Sequence, residues 1–402
     1  MINYSYLFIL VFLILFFLLF IKIYIKWKFR FWSLQPVFHI YDLHYTFFPP
    51  GIILHSLPEK NRYTNFKNIE TILYTKLTVQ EKNKFIFFIK NNFLRNNGNH
   101  FLPNNNNIFP YFNSHNHPCF FSYYTIDEHS LDTKTQTIIH SKKIISVMTS
   151  RPLYLTINNG NSNAKMNIYY VDYLCVHKEN RNKGIAPEII QTHEYNQRHI
   201  NKKISVSLFK REGKLTGIVP LTVYNTYGFK VDKWCKPPEL MGIYSILEIT
   251  VHNIHFLNDF LKENTFLFDI IILPEITNII ELLKTNNIFI YVILLEQTII
   301  SSFFFRKTST FLSKDLEVLT CFASIHINKN TDVFILGFKN IFWHIANKFH
   351  FGYSAIENIS HNNIIINNLM IKNKPTIISP TAYFFYNFAY PTFPSKNVLI
   401  IN

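Results

Sequence analysis

The first twenty-one residues, MINYSYLFILVFLILFFLLFI, carry no charged side chain and show no polar stripe. An apolar run of this length matches the ~20 residues that cross a hydrocarbon core of ~30 Å. The core helix of a soluble protein would show a polar face, and this segment has none. Lys22, Lys26, Lys28 and Arg30 follow at once. The positive-inside rule then predicts a single-pass anchor over residues 1–25, with the rest of the chain in the cytosol. A cleaved signal peptide is the rival reading, but the basic leading region and small-residue cleavage site that it wants are missing.

Beyond the anchor the pattern alternates between helical and extended periods. Thr78-Val79-Gln80-Glu81 is a capping box that starts a helix running to about Asn92. RNNGNHFLPNNNN reads as a loop of turn formers. Residues 134–177 read as a β-meander: TQTIIH, KKIISVMTS and LYLTI are strands, NNGN a turn, and KMNIYYVDYLCVH a longer strand. APEIIQTHEYNQRHI is helical, with Pro187 in the first turn, where a missing N–H costs nothing. Helical patterns at 253–264 and 274–286 precede strands at 288–305 and 317–326. A helix over about 338–349 and strands at 382–389 and 397–401 close the chain. Meander, helix and strand thus occur twice, which predicts an α+β protein of two similar halves, although no sequence repeat joins them.

Composition narrows the chemistry. With 402 residues, 48% of them hydrophobic, the chain can bury a core, and a disordered protein is excluded. A net charge of +15 points to an anionic partner. No arginine-rich block or nucleic-acid motif accompanies it, so a phosphorylated cofactor or a membrane surface is favoured and no nucleic-acid partner is expected. Cys119, Cys175, Cys235 and Cys321 form no CxxC pair and are too few for a disulfide scaffold, which fits a reducing compartment. His115, His117 and Cys119 have a spacing that a metal could use, but no second ligand cluster follows, so no metal is expected. No paired catalytic carboxylates stand out.

The most informative stretch is YVDYLCVHKENRNKGIAPEII, Tyr170 to Ile190. A strand runs into a basic loop and then a helix start. Backbone N–H groups at a helix N-terminus lack internal partners and favour an anion. Gly184 lets a bulky phosphate approach the backbone, and Arg181 and Lys183 add charge. The bland alternative is a glycine-bearing surface turn with solvated cations.

The R-x-x-G-x-A pattern resembles the acyl-CoA loop of the GNAT acyltransferases. The longer stretch, with Leu174, Cys175, Val176, His177, Lys178, Arg181, Lys183, Ala186 and Pro187, resembles the signature of the N-myristoyltransferase family. RFWSLQPV (residues 30–37), KFHFGYSAIENIS (348–360) and the last twenty residues, YFFYNFAYPTFPSKNVLIIN, resemble further segments of that family in the same order. The resemblance implies two pseudo-symmetric GNAT-like halves after the anchor, which itself departs from the family's polar N-terminal tail. Residues 26–230 would bind the acyl donor. Residues 231–402 would bind the peptide and supply a catalytic C-terminus.

The resemblance also implies roles. Phe29, Arg30, Phe31 and Trp32 would contact the nucleotide end of CoA. Tyr173 and Leu174 would form a backbone oxyanion hole, with Cys175 and Val176 beside the donor. Arg181, Asn182, Lys183, Gly184, Ile185, Ala186 and Pro187 would hold the pyrophosphate. The α-carboxylate of Asn402, carried inward by VLII, would be the base, with burial raising its pKa. Phe93, Phe101, Tyr224, Tyr386 and Asn387 would line the peptide groove. Myristoyl-CoA would be a co-substrate, no cofactor would be held permanently, and the acceptors would be proteins with an N-terminal glycine. The enzyme would be a monomer.

Two departures stand out. The family's acidic loop is replaced here by Arg95, Asn96, Asn97 and Gly98, which disfavours Lys-rich substrates. Phe209 and Lys210 fall near the family's Tyr-Thr pair that faces the amine. A GNAT-type enzyme with another acyl group or acceptor, and a degenerate acyl-CoA-binding membrane protein, therefore stay open.

Overall fold

The computed structural model describes residues 4–93, 99–131, 138–159, 162–213, 217–231, 234–312 and 316–402. Its first element is the helix Tyr4–Lys28, long and apolar enough to cross a membrane and only 6% buried over its apolar window. The capping box forms as its residues dictate. The Thr78 hydroxyl accepts from the Glu81 amide at 3.2 Å, and the Glu81 carboxylate accepts from the Thr78 amide at 2.8 Å. The helix Val79–Asn92 follows and buries Phe85, Ile86, Phe88 and Ile89.

Most strands join one large mixed sheet. Its first half is a meander of Phe120–Leu131, Ile138–Asn159 and Ser162–Val176. The helix Ile185–Ile200 then crosses to a parallel strand, Ser207–Glu212. The second half repeats this plan. Strands Ile288–Leu295, Thr298–Phe311 and Glu317–His326 form a meander, and the helix Thr331–Phe349 crosses to the parallel strand Phe351–Glu357. The halves interlock. Ile377–Tyr386, from the second half, lies between Ser207–Glu212 and Thr222–Lys230 of the first. Thr222–Lys230 also pairs with Phe351–Glu357, so the sheet is continuous across the boundary expected at 230/231.

Two expected breaks are absent. The described end of TQTIIH (138–140), KKIISVMTS and LYLTI all belong to one strand, Ile138–Asn159, that runs through Pro152. On one side this strand pairs with Phe120–Leu131 as far as Ser150, and with Ile270–Leu273 only from Tyr154 onward. Pro152 falls in the gap, where a missing N–H deprives no neighbour. Conversely, the single run 288–305 is a hairpin. Glu296, at φ 56°, turns the chain between its two strands. The helix expected at 338–349 starts earlier, at Thr331, capped by the Asn330 side chain on the Val333 amide. Residues 135–137 of the first expected strand, and 160–161 of the expected turn, lie outside the described residues.

Candidate active site

The site is built on a split in the sheet. Strands Ser162–Val176 and Ser207–Glu212 run parallel but pair only over Tyr169–Val171 and Ser207–Phe209. Past that point they part. On its other edge the first strand carries a bulge, because Met148 faces Leu174 while Ser150 faces Val171. Bulges add local twist and re-aim backbone groups. Here the bulge lifts Asp172 and Tyr173 out of regular pairing, and the Tyr173 amide donates to the Thr149 hydroxyl at 3.2 Å.

Three clefts meet around this bulge. The first, about 390 Å³, fills the split; Trp32, Leu174, Glu194, Phe209 and Tyr386 are among its walls. The second, about 400 Å³, lies on the side of the second half and is lined by Phe101, Tyr111, Arg151, Arg306 and Glu357 among others. The two share Phe93, Tyr170, Asp172, Lys210 and Glu212. The third, about 610 Å³, runs from Phe93 and Leu174 over Cys175 and Val176 to the loop Arg181–Pro187.

That loop has the shape the sequence predicts. Gly184 caps the helix Ile185–Ile200 in the left-handed region at φ 81°, and a Cβ placed there would meet nothing within 4 Å. The helix start is therefore open to a ligand. Asn182 is also left-handed, at φ 63°. Residues 181–184 are exposed, and Ile185 is buried. Arg181 is already engaged: its Nη2 donates to the Asn92 carbonyl at 2.9 Å, tying the loop to the end of the helix Val79–Asn92. Of the expected nucleotide contacts, Trp32 lines the split and stacks on Phe209 at 5.5 Å. Phe31 is buried against Tyr63, Phe29 is half-buried and Arg30 exposed, and none of the three lines the clefts described.

The expected peptide-groove residues divide. Phe93 and Phe101 line the second cleft, their rings 5.4 Å apart. Tyr224 is buried, and its hydroxyl donates to Glu357. Tyr386 instead faces the split, with its hydroxyl bonded to Gln35 at 2.7 Å. Asn387 reaches none of the three clefts. It is fully buried at φ 62°, and its amide group holds Leu54 and Ser205 in place. Arg95, Asn96, Asn97 and Gly98 lie outside the described residues. His115 and His117 hydrogen-bond to Tyr111 and Asn167, and no metal-holding cluster occurs among the described residues.

The sequence reading missed the charged centre of the second cleft. Glu357 receives Lys210 Nζ at 2.9 Å and Arg306 Nη2 at 3.2 Å. Burial raises its carboxyl pKa, but the two cations outweigh that and hold it below the ordinary range. Arg306 also donates to the main-chain oxygen of Asn402 at 3.1 Å and to its side-chain oxygen at 3.2 Å. Asn402 is 3% exposed. Strand Val398–Ile400 carries it inward alongside Ile270–Leu273, and Ile401 bonds Ile272. A second pair, Arg151 Nε and Asp172 Oδ2 at 3.0 Å, sits at the bulge with the guanidinium between the Tyr111 and Tyr170 rings. Burial pushes the Asp172 carboxyl up, against the pull of Arg151. The overlooked signal was a charge next to apolar residues in a strand: Arg306 in SSFFFRK, Glu357 in YSAIENI and Asp172 in YYVDYL.

Residues 128–219 match the family model "Myristoyl-CoA:protein N-myristoyltransferase, N-terminal domain". No curated protein matches the chain in sequence. Among solved structures, Saccharomyces cerevisiae N-myristoyltransferase with bound myristoyl-CoA is similar at a TM-score of 0.68 and 13% identity, covering 93% of this chain and 99% of the yeast chain. Another structure of that yeast enzyme with myristoyl-CoA gives 0.67, 14%, 93% and 93%. A tandem GNAT protein from the clavulanic acid biosynthesis pathway gives 0.52 and 10%, covering 81% and 100%.

Proposed function

Because residues 128–219 place the chain in the N-myristoyltransferase family of acyltransferases, whose fold it follows over 93% of its length, we propose that it moves myristate from myristoyl-CoA to the N-terminal glycine amine of proteins. Residues 26–230 serve the donor in this reading, and residues 231–402 serve the acceptor. The observation that carries it is the meeting of two clefts at one bulged strand.

The donor's pyrophosphate lies against the open helix start at Gly184, where unpartnered amides, the helix dipole and Lys183 favour negative charge. Asn182, Ile185, Ala186 and Pro187 complete that cradle. The pantetheine arm enters the split and brings the thioester to the Leu174 amide. Tyr173 joins it when its N–H leaves the Thr149 hydroxyl, and the two amides then meet the charge that develops on the carbonyl oxygen. The glycine amine comes through the second cleft past Phe93 and Phe101.

The α-carboxylate of Asn402 takes the ammonium proton in this reading, directly or through water. Arg306, which lines the cleft and bonds Asn402, holds that carboxylate in place. The free amine attacks the thioester carbonyl carbon, the C–S bond breaks, and CoA leaves as its thiol. The helix Tyr4–Lys28, the one candidate span among the described residues, anchors the enzyme in a membrane, facing the cytosol, where a myristate donor partitions.

One observation favours a second reading with a different acyl donor. Glu194 is buried against the split, and its Oε1 has no partner there, an unusual wall for a plain alkyl chain. One experiment separates the readings: incubate the full chain with radiolabelled acyl-CoAs of graded length and a peptide starting with glycine. Peptide acylation that peaks at the fourteen-carbon donor supports the first reading. A peak at another donor or acceptor supports the second, and binding without turnover refutes both. Deleting Ile401 and Asn402 is expected to abolish turnover and spare donor binding; full turnover would remove Asn402 from the mechanism.

A further inference from the structure

The helix Tyr4–Lys28 does not leave the domain as a free tether. Ile25 is buried against Gly217, where a Cβ would come within 2.9 Å of the isoleucine side chain, so glycine permits a close dock. Lys22 Nζ lies 5.6 Å from the centre of the Tyr41 ring, and Tyr41 stacks on His39 at 4.7 Å. His39 bridges to Ile218, and the Ile40 amide donates to the Gly217 carbonyl at 3.0 Å. Residues 39–41 and 217–218 therefore grip the last two turns of the helix. The gripped turns carry the first cations after the apolar run, Lys22 and Lys26, which sit at the level of lipid headgroups if the helix spans a bilayer.

The chain next to that grip is unusually apolar for a surface. Ile40, Leu43, Phe47 and Phe48 are all exposed, Phe47 by 73% and Phe48 by 69%. They lie on and beside the short helix Leu43–Phe47. After it, Pro49 and Pro50 lead back into the protein, where Gly51–Ile52 pairs with Phe388–Ala389. A projecting apolar turn at headgroup level, with cations beside it, has the composition of an interfacial membrane contact.

We propose that Ile40, Leu43, Phe47 and Phe48 form a second membrane contact, seated in the headgroup–acyl boundary of the anionic leaflet below the span. Two contacts fix the orientation of the domain on the bilayer. Trp32, a wall of the split, lies between them in the chain. This rests on reading Tyr4–Lys28 as a membrane span.

The test uses the full chain with Cys235 replaced by serine, because the other three cysteines are buried. Phe47→Cys is labelled with an environment-sensitive dye, and Ile371→Cys, 77% exposed on the helix Asn362–Lys372, serves as the control. Both are reconstituted into phosphatidylcholine vesicles with about 30% phosphatidylserine, a composition chosen to give an anionic surface. The vesicles carry quenchers at shallow or deep positions. The expected result is a blue shift and shallow quenching at position 47, and neither at 371. If the chain stays in the vesicles through an alkaline wash while position 47 remains unquenched, this proposal fails and the span stands. If the wash releases the chain, both fail. Equal quenching at both positions means non-specific adsorption and also overturns the proposal.

Discussion

Replacing Glu357 by glutamine should unfold this protein far more readily than its change in shape suggests. The carboxylate faces Lys210 at 2.9 Å and Arg306 at 3.2 Å, and its side chain is 4% exposed. With an effective dielectric near 20, each pair attracts by roughly 5 kcal/mol before desolvation. Removing one partner of a buried pair costs about 3–5 kcal/mol net, because the remaining charge stays buried. Lys210 and Arg306 keep some water access, at 19% and 21%, which favours the lower end, about 3 kcal/mol. The folded pKa of Glu357 lies below its ordinary value, so its contribution is complete above the unfolded carboxyl pKa and is lost as pH falls through the folded one. Urea unfolding of the full chain in detergent, followed by tryptophan fluorescence, should show a midpoint lower by about 1 M or more at pH 7. The gap should shrink in acid below pH about 4.5, the ordinary carboxyl value. Lys210→Met added to Glu357→Gln should recover part of the loss, since one uncompensated cation is gone. A Glu357→Gln midpoint equal to that of the parent at pH 7 would refute the reasoning.

Gly184→Ala must hold φ 81° with a Cβ, at a backbone cost of about 1 kcal/mol, and it places a methyl where the phosphate would approach. Calorimetry should report acyl-CoA affinity reduced several-fold with a small fall in melting temperature; Gly184→Asn, which tolerates this φ, should recover the stability. Burial pushes the Glu194 carboxyl up to about 7, from an ordinary 4.5. Between those values the folded chain holds a proton that the unfolded chain has lost, so stability falls as pH rises, by at most roughly 3 kcal/mol. Glu194→Gln should therefore match the parent near pH 4 and be more stable at pH 8, as read from paired urea titrations.

Local signals were read well from the sequence, and long-range ones were not. The Thr78 capping box and the Gly184 loop depend on neighbours within a few residues, and both form as their spacing requires. The strand through Pro152 could not be seen in one dimension, because what tolerates the proline is a gap between two other strands. The Glu357 centre draws on residues 210, 224, 306 and 357, from four separate strands. Only the sheet brings them together. Asn387 illustrates the opposite error. Its place in a motif suggested ligand contact, whereas its hydrogen bonds show a brace that holds the segment from Pro36 to Leu54.

The interleaving of the halves shapes how the protein is made. Strand Ile377–Tyr386 completes the hydrogen bonding of both Ser207–Glu212 and Thr222–Lys230. A ribosome must therefore synthesise some 150 further residues after position 230 before those two edges are covered. Throughout that interval the nascent chain presents open strand edges. Such edges invite wrong pairing. Cells producing this protein should depend on holdase chaperones at that stage, and a premature stop ahead of residue 377 should expose both halves, not one, to proteolysis.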